Sequence, residues 1–289
     1  MALRNRRVRP QRDDKVLTGW NALMISALAR GGRILQDRQH VEAAVRAAQF
    51  IWTRLRDEGG RLLARYRDGD AAFPAYLDDY AFLIRAVLDL YDADMRPLWL
   101  ERAVGLQAEQ DRLFWDAESG GYYFYGSDAE DLLARPKKVQ DGAVPSGNAV
   151  AAVNLLKLSR LTGDEEHAVR GGQLLRSFAG EVSEHPSAHT QSLAATLLAL
   201  FPGPEVVVAS GREPEELRRE LRPLARVFAP DAALLYRLEG DEYSGLDDLA
   251  PFTAGMGPRG GQTTYYICRD RACREPTTDL SRVLAEMGS

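Results

Sequence analysis

Four clusters in this sequence bring carboxylates, amides, hydroxyls and aromatic rings together, and each falls where a long helix is about to begin. The first is Asp13-Asp14 followed by Thr18, Trp20 and Asn21; the second is Tyr76, Asp78, Asp79 and Tyr80. The third is Asp141 with Ser146 and Asn148, and the fourth is His189 with Gln191. The mixture suits sugar recognition, because rings stack on pyranose faces while carboxylates accept bonds from hydroxyls. Paired carboxylates are also the machinery of glycoside cleavage. Adjacent residues on a helix point about 100° apart, so Asp78 and Asp79 do not form that pair together. Asp79 shares a row with Tyr76 and Leu83 that should face inward, whereas Asp78 heads toward Phe82 and Arg85. Asp79 is therefore the acid/base candidate, with a partner from another hairpin such as Asp14 or Asp141. Trp20, Asn21, Tyr76, Asp78, Tyr80, Asp141, Ser146 and Asn148 are the candidates for holding substrate. A competing reading makes the aspartates helix caps and N-terminal charges.

Of the four histidines, His40, His167 and His185 fall on outer helices or loops, where a solvated role is expected. His189 alone is placed for acid/base work, and its alternative is a histidine that only hydrogen-bonds at a helix start. Gly255-Met256-Gly257-Pro258-Arg259-Gly260 matches the dinucleotide fingerprint letter for letter. That fingerprint follows a strand and opens a helix, whereas this run contains a proline and precedes a strand-like stretch, so it reads as a loop. Cys268 and Cys273 are too few for a metal site and are not spaced Cys-x-x-Cys. They are read either as a redox pair at the end of a strand or as ordinary thiols. No metal and no cofactor is implied.

The elements that must position these residues are long amphipathic segments, and they alternate in kind. Segments 17–30, 76–91, 149–161 and 191–200 are densely apolar, while 41–55, 98–106 and 165–178 carry polar faces. Helices apolar all round are buried on both sides and one-sided helices face solvent, so the alternation describes inner and outer helices of an α/α toroid built from hairpins. An internal repeat of roughly 60 residues supports this. Arg56-Asp57-Glu58-Gly59-Gly60 ends one outer helix and Trp115-Asp116-Ala117-Glu118-Ser119-Gly120-Gly121 the next, each followed by a short stretch (61–66 and 122–125) that reads as a small hairpin. About three and a half hairpins fit before residue 203, so the ring is expected to be open or incomplete. In such a ring the inner helices run parallel and their N-termini gather at one rim, where uncapped N–H groups favour polar or anionic ligands. After Phe201-Pro202-Gly203-Pro204 the pattern becomes α/β, with strands at 205–209, 233–236 and 264–267 and helices at 214–221 and 278–287. The expected organisation is a basic arm (1–12), a toroid portion (13–203) and a small α/β subdomain (204–289).

Composition limits the classes of function. Lys and Arg number 37 against 42 Asp and Glu, a formal net charge of −5, so no global field recruits nucleic acid or an anionic membrane. The exception is Arg4, Arg6, Arg7, Arg9, Arg12 and Lys15, read as a solvated arm or the cut end of a longer protein rather than a transit peptide. No apolar run approaches the length of a membrane span. A soluble, cytoplasmic protein is the expectation.

Three motifs in order, Arg12-Asp13-Asp14-Lys15-Val16-Leu17-Thr18-Gly19-Trp20-Asn21, Leu77-Asp78-Asp79-Tyr80-Ala81 and Asp141-Gly142-Ala143-Val144-Pro145-Ser146-Gly147-Asn148, resemble the C-terminal portion of the YyaL/spermatogenesis-associated thioredoxin-domain family. A fourth, Tyr266-Ile267-Cys268-Arg269-Asp270-Arg271-Ala272-Cys273 with Pro276-Thr277-Thr278-Asp279, is similar to that family's tail. The resemblance implies a six-hairpin glycosidase-like toroid, similar to sugar 2-epimerases, which in family members follows a thioredoxin-like domain. This chain departs from the pattern in having no Cys-x-x-Cys, no thioredoxin-like portion and fewer hairpins. The resulting expectation is a carbohydrate-active domain that binds a sugar at the inner-helix rim as an isomerase or hydrolase. The alternative is a non-catalytic platform for a thioredoxin-like domain, with missing hairpins supplied in trans.

Overall fold

The computed structural model describes residues 6–8, 13–129, 134–269 and 272–288. Arg4, Arg9 and Arg12 of the basic arm, and Asp270 and Arg271 of the closing motif, lie outside the described residues.

A two-residue strand β1 (Val16–Leu17) leads into helix α1 (Thr18–Leu35) and its return α2 (Arg38–Arg54). Strands β2 (Leu63–Arg67) and β3 (Asp70–Pro74) follow as an antiparallel hairpin, and β2 also pairs with β1. Next come α3 (Leu77–Asp94) with α4 (Pro97–Phe114), then α5 (Gly147–Thr162) with α6 (Glu165–Ser177). A short α7 (Ala179–Glu184) leads to α8 (Thr190–Leu200). Helices α1, α3, α5 and α8 pack side by side in that order, and α2, α4 and α6 each back the inner helix before them. This is an arc of an α/α hairpin toroid. Local chemistry sets the turns: Asp37 and Asp164 cap α2 and α6, Pro97 opens α4, and Gly163 ends α5 in the left-handed region.

Burial grades along the arc. In α3 every residue is buried except Asp78, Arg85 and Asp92, which are spaced by seven and so share one face. Helix α1 departs from the expectation of burial on both sides. Only one of its faces is buried, while Trp20, Met24, Ile34 and Leu35 are exposed. In α8, likewise, only Ser192 and Ala195 are buried, and Leu193, Leu197 and Leu200 are exposed. Both stand at the ends of the arc, where no described element covers their second side. The 61–66 stretch forms the hairpin it suggests, but 122–125 does not: it contributes one bridge, Trp115 to Tyr122, and its rings pack instead.

The remaining sheet has order β5-β4-β6-β7, from β4 (Glu205–Ser210), β5 (Ala233–Leu238), β6 (Thr264–Arg269) and β7 (Ala272–Cys273). Strands β4 and β5 are parallel, joined through α9 (Pro214–Glu220) and α10 (Arg222–Ala225), while β6 runs antiparallel to both neighbours. After β5 comes a short α11 (Leu246–Leu249), and α12 (Leu280–Met287) closes the chain. The glycine-rich run at 255–260 is a loop that leads into β6. This small α/β unit seats on the C-terminal ends of the inner helices. Tyr91 and Tyr236 meet edge to face, the Tyr236 N–H donates to Tyr91 Oη at 3.1 Å, and Arg160 donates to the carbonyls of Gly203 and Asp231. Among the described residues no helix is long and apolar enough to cross a membrane.

Candidate functional site

A helix start leaves backbone N–H groups without intrahelical acceptors. At the rim these donors are met by carboxylates from the neighbouring hairpin. Asp79 Oδ1 accepts from Gly19 N of α1 at 2.8 Å, and its Oδ2 accepts from Tyr76 N at 2.9 Å. Asp78 accepts from the backbone of Gly147 on α5. Asp141 accepts from Ser146 N at 3.0 Å and from Gln191 N at 2.9 Å, which ties the entries of α5 and α8 together. The glycines make this reach possible. A Cβ on Gly19 would stand 2.9 Å from Asp79 Oδ1, and one on Gly147 would collide with Asp78. Thr18-Gly19 and Ser146-Gly147 are thus the same device twice: a small second residue that lets a neighbour's carboxylate touch the helix start.

Burial charges these acids differently from ordinary surface aspartates. Asp79 is 9% exposed, and burial pushes its carboxyl up to about 6 against the pull of its two N–H donors; the neighbouring Asp78 adds to the rise. Asp78 is partly accessible and also raised, again by burial, with the Gly147 N–H and Lys138 working the other way. Each acid takes the side its spacing suggests, Asp78 toward Arg85, but it is Asp78's side that is accessible. Asp79 points sideways into α1 with both oxygens occupied, while Asp78 lies on the accessible face of α3 with Arg85 and Asp92.

The other candidates separate into reachable and buried groups. Trp20 is 69% exposed and Tyr76 37%, and the Tyr76 ring stacks on Phe124 at 5.2 Å with Tyr125 edge-on at 5.7 Å. Asp14 is exposed and pairs with Arg67 at 2.8 Å. Asn21 is half-buried and donates back to the Leu17 carbonyl at 2.9 Å. Tyr80, by contrast, is fully buried. Its hydroxyl donates to Glu109 at 2.5 Å and accepts from Arg61 at 2.8 Å, which removes it from substrate contact. Asn148 is 1% exposed: its side chain accepts from Tyr122 N and donates to the Tyr122 and Lys138 carbonyls, pinning the 122–138 segment to α5. Ser146 is the α5 cap, accepting from Ala149 N at 3.1 Å. His189 is 2% exposed, with Nδ1 2.8 Å from the His185 carbonyl and Nε2 3.4 Å from Glu181, so it holds a loop and does not face a ligand. Cys268 and Cys273 face each other across β6 and β7 and are joined as a disulfide, with Cys268 buried and Cys273 exposed. Among the described residues no group of three metal-binding side chains gathers.

Sequence reasoning missed the polar lining farther along the arc. Asp89 accepts from Ser26 Oγ at 2.5 Å and from Arg85 at 3.3 Å, and Lys157 donates to Asp92 at 2.6 Å. The signal was available. Asp78, Arg85 and Asp92 recur at intervals of seven, which puts three charged side chains on one face of α3.

No family model matches the chain. It is 33% identical to spermatogenesis-associated protein 20 of Homo sapiens over 96% of this chain and 36% of the human protein, and equally identical to the Rattus norvegicus protein over the same shares. An uncharacterized protein of Caenorhabditis elegans is 29% identical over 97% of this chain and 38% of its own length. The chain thus spans about a third of the length of the curated relatives it matches. Among solved structures, a cellobiose 2-epimerase of Bacillus thermoamylovorans is similar at TM-score 0.48 and 16% identity, over 59% of this chain and 46% of that one. A GH76 α-mannanase of Bacteroides thetaiotaomicron is similar at TM-score 0.49 and 16% identity, over 60% and 47%.

Proposed function

This chain is a homologue of spermatogenesis-associated protein 20, and from that premise we propose that it binds a carbohydrate at the inner-helix rim and acts on it as an isomerase or hydrolase. One observation carries the reading. Asp78, a carboxylate raised by burial yet still accessible, stands at the head of the open face of α3 beside the Tyr76–Phe124 stack. A carboxyl that burial makes readier to take up a proton than a surface aspartate can exchange one with a bound ligand, and an exposed aromatic ring can stack on a sugar. In this reading Asp78 meets the substrate. Asp79 is a positioning residue that locks α1 against α3, and Trp20 and Tyr76 supply apolar surface. Asp14 adds negative charge at the rim.

The test is a thermal melt with a panel of mono- and disaccharides. A ligand that binds only the folded state raises the midpoint. The expected result is a midpoint raised by one sugar class in the wild type and raised less by the same sugar in Asp78→Asn. A midpoint indifferent to every sugar would refute the reading.

The disulfide favours a second reading, a platform for a thioredoxin-like domain. Cys273 is exposed, and both cysteines line a cavity of about 300 Å³ with Phe252 and Met256. A partner thiolate would attack the Cys273 sulfur, forming a mixed disulfide and releasing Cys268 as thiolate. Trapping by a thioredoxin-like domain that survives Cys268→Ser and Cys273→Ser unchanged would remove its support.

A further inference from the structure

Below the rim, the accessible face of α3 runs down to a second cavity of about 140 Å³, enclosed by the C-terminal halves of α1, α3 and α5 and by the 224–234 segment of the α/β unit. Its charged lining is Arg30, Arg33, Arg85 and Lys157 against Asp89 and Asp92. Four cations against two carboxylates make this place electropositive, in a chain whose formal net charge is −5. The two acids are already engaged, Asp89 by Ser26 and Arg85, and Asp92 by Lys157. Arg33 sits beside Tyr236, Asp92 and Asp89. Arg30 is exposed and, among the described residues, makes no side-chain hydrogen bond or ion pair.

Two further features concern what could enter. Asp92 Oδ1 is buried and accepts no hydrogen bond, although a buried acceptor without a donor costs about 1–3 kcal/mol. Phe228 lines the same cavity with its ring 87% exposed, at the lip rather than in the core. The cavity is roomy enough for an anionic head group and opens toward Phe228 at its lip.

We propose that this cavity binds a phosphorylated, hydroxyl-bearing small molecule. The phosphate lies among Arg30, Arg33, Arg85 and Lys157, a neighbouring hydroxyl donates to Asp92 Oδ1, and the body of the ligand rests on Phe228. Guanidinium groups match phosphate geometry with paired N–H donors, and partial enclosure strengthens the contact relative to open water. Cations near the ends of α1 and α5 also complement the helix dipoles. That role alone would leave Arg30 without a partner and Asp92 Oδ1 without a donor. The site is independent of the rim reading, since it shares no residue with it.

The experiment is calorimetric titration of the full chain with inorganic phosphate, glucose 6-phosphate and glucose, repeated on Arg30→Gln, Phe228→Ala and Asp78→Asn. Arg30 is exposed, so its substitution leaves the fold intact, which a thermal melt verifies. The expected result is binding of both phosphates, with glucose 6-phosphate about tenfold the tighter because it alone reaches Asp92 and Phe228. Arg30→Gln weakens both phosphates about tenfold, Phe228→Ala weakens only glucose 6-phosphate, and Asp78→Asn changes neither. Affinity that falls as salt rises is expected for an exposed cation such as Arg30. Absence of phosphate binding at millimolar concentration, or equal affinity in wild type and Arg30→Gln, would overturn the proposal. Glucose binding as tightly as its phosphate would overturn it too.

Discussion

Around the N-termini of α1, α5 and α8 the side chains that meet the backbone are Asp79, Asp78, Asp141 and Ser146. Around the C-terminus of α3 they are cations and a tyrosine: Arg218 donates to the Asp94 carbonyl at 3.2 Å and the Tyr236 hydroxyl to the Asp92 carbonyl at 3.4 Å. The same polarity of the peptide group lies behind both. Helix starts present N–H groups and partial positive charge, and helix ends present carbonyls and partial negative charge. The consequences for access differ. The rim carboxylates come from neighbouring inner hairpins and leave the rim open, whereas the far-end donors belong to an α/β unit that covers it. Asp94, 1% exposed, is the knot of that closed end, with Arg38, Arg96, Arg218 and the Trp99 indole all around its carboxylate.

If the far end is structural and the rim is a site, substitutions should separate by what they damage. The largest effect is expected from Asp94→Ala, which leaves three guanidinium groups facing a void. Breaking a buried ion pair costs about 3–5 kcal/mol, so a urea midpoint close to that of wild type would break the comparison. Asp79 comes next, through pH. Its folded carboxyl stands at about 6, above the ordinary 3.8. The folded state therefore binds more protons than the unfolded one between about pH 4 and 6, and this contribution to stability grows as pH falls through that window. Asp79→Asn should lack it, so the wild type should gain on the variant by 2–3 kcal/mol or so between those limits. Urea melts at both pH values give the difference, and parallel curves would say that Asp79 is not held as described.

Asp78→Asn keeps an oxygen for the Gly147 N–H, so stability should barely move while sugar affinity falls about tenfold, or about 1.4 kcal/mol. Loss of fold with loss of affinity would make Asp78 structural, like Asp94. Smallest of all is Asp14→Ala. Its pair with Arg67 is exposed on both sides, and such pairs contribute about 0.5 kcal/mol or less. A larger drop in melting midpoint would show the rim to be more tightly built than its exposure suggests.

Much of this was legible in sequence, for a physical reason. Alternation between helices apolar all round and helices apolar on one face let the hairpins and their order be read before any contact was known, although α1 and α8, at the ends of the arc, bury only one face. The entries at Asp141-Ser146 and Tyr76-Asp79 were also visible as both caps and candidate site residues. Asp79 and Leu83 do turn into the protein, but Tyr76 caps the helix and does not share their row, and two backbone N–H groups occupy Asp79. Tyr80 and Asn148 looked like ligand contacts because their types suit sugars, but their partners Glu109, Arg61 and Tyr122 come from other elements. Asp94 showed only half its surroundings locally: Arg96 and Trp99 lie two and five residues on, but Arg38 and Arg218 are 56 and 124 residues away.

The central claim is that sugar binds at the rim, and the four tryptophans allow a direct test. Trp20 is exposed at the start of α1, whereas Trp99 is buried against Asp94 at the opposite end. A ¹H–¹⁵N spectrum of the indole groups, titrated with the sugar that most raises the melting midpoint, reports both ends at once. The account predicts a saturable shift of the Trp20 resonance with Trp99 unmoved. A shift at Trp99 alone, or none at Trp20 under saturating sugar, would contradict it.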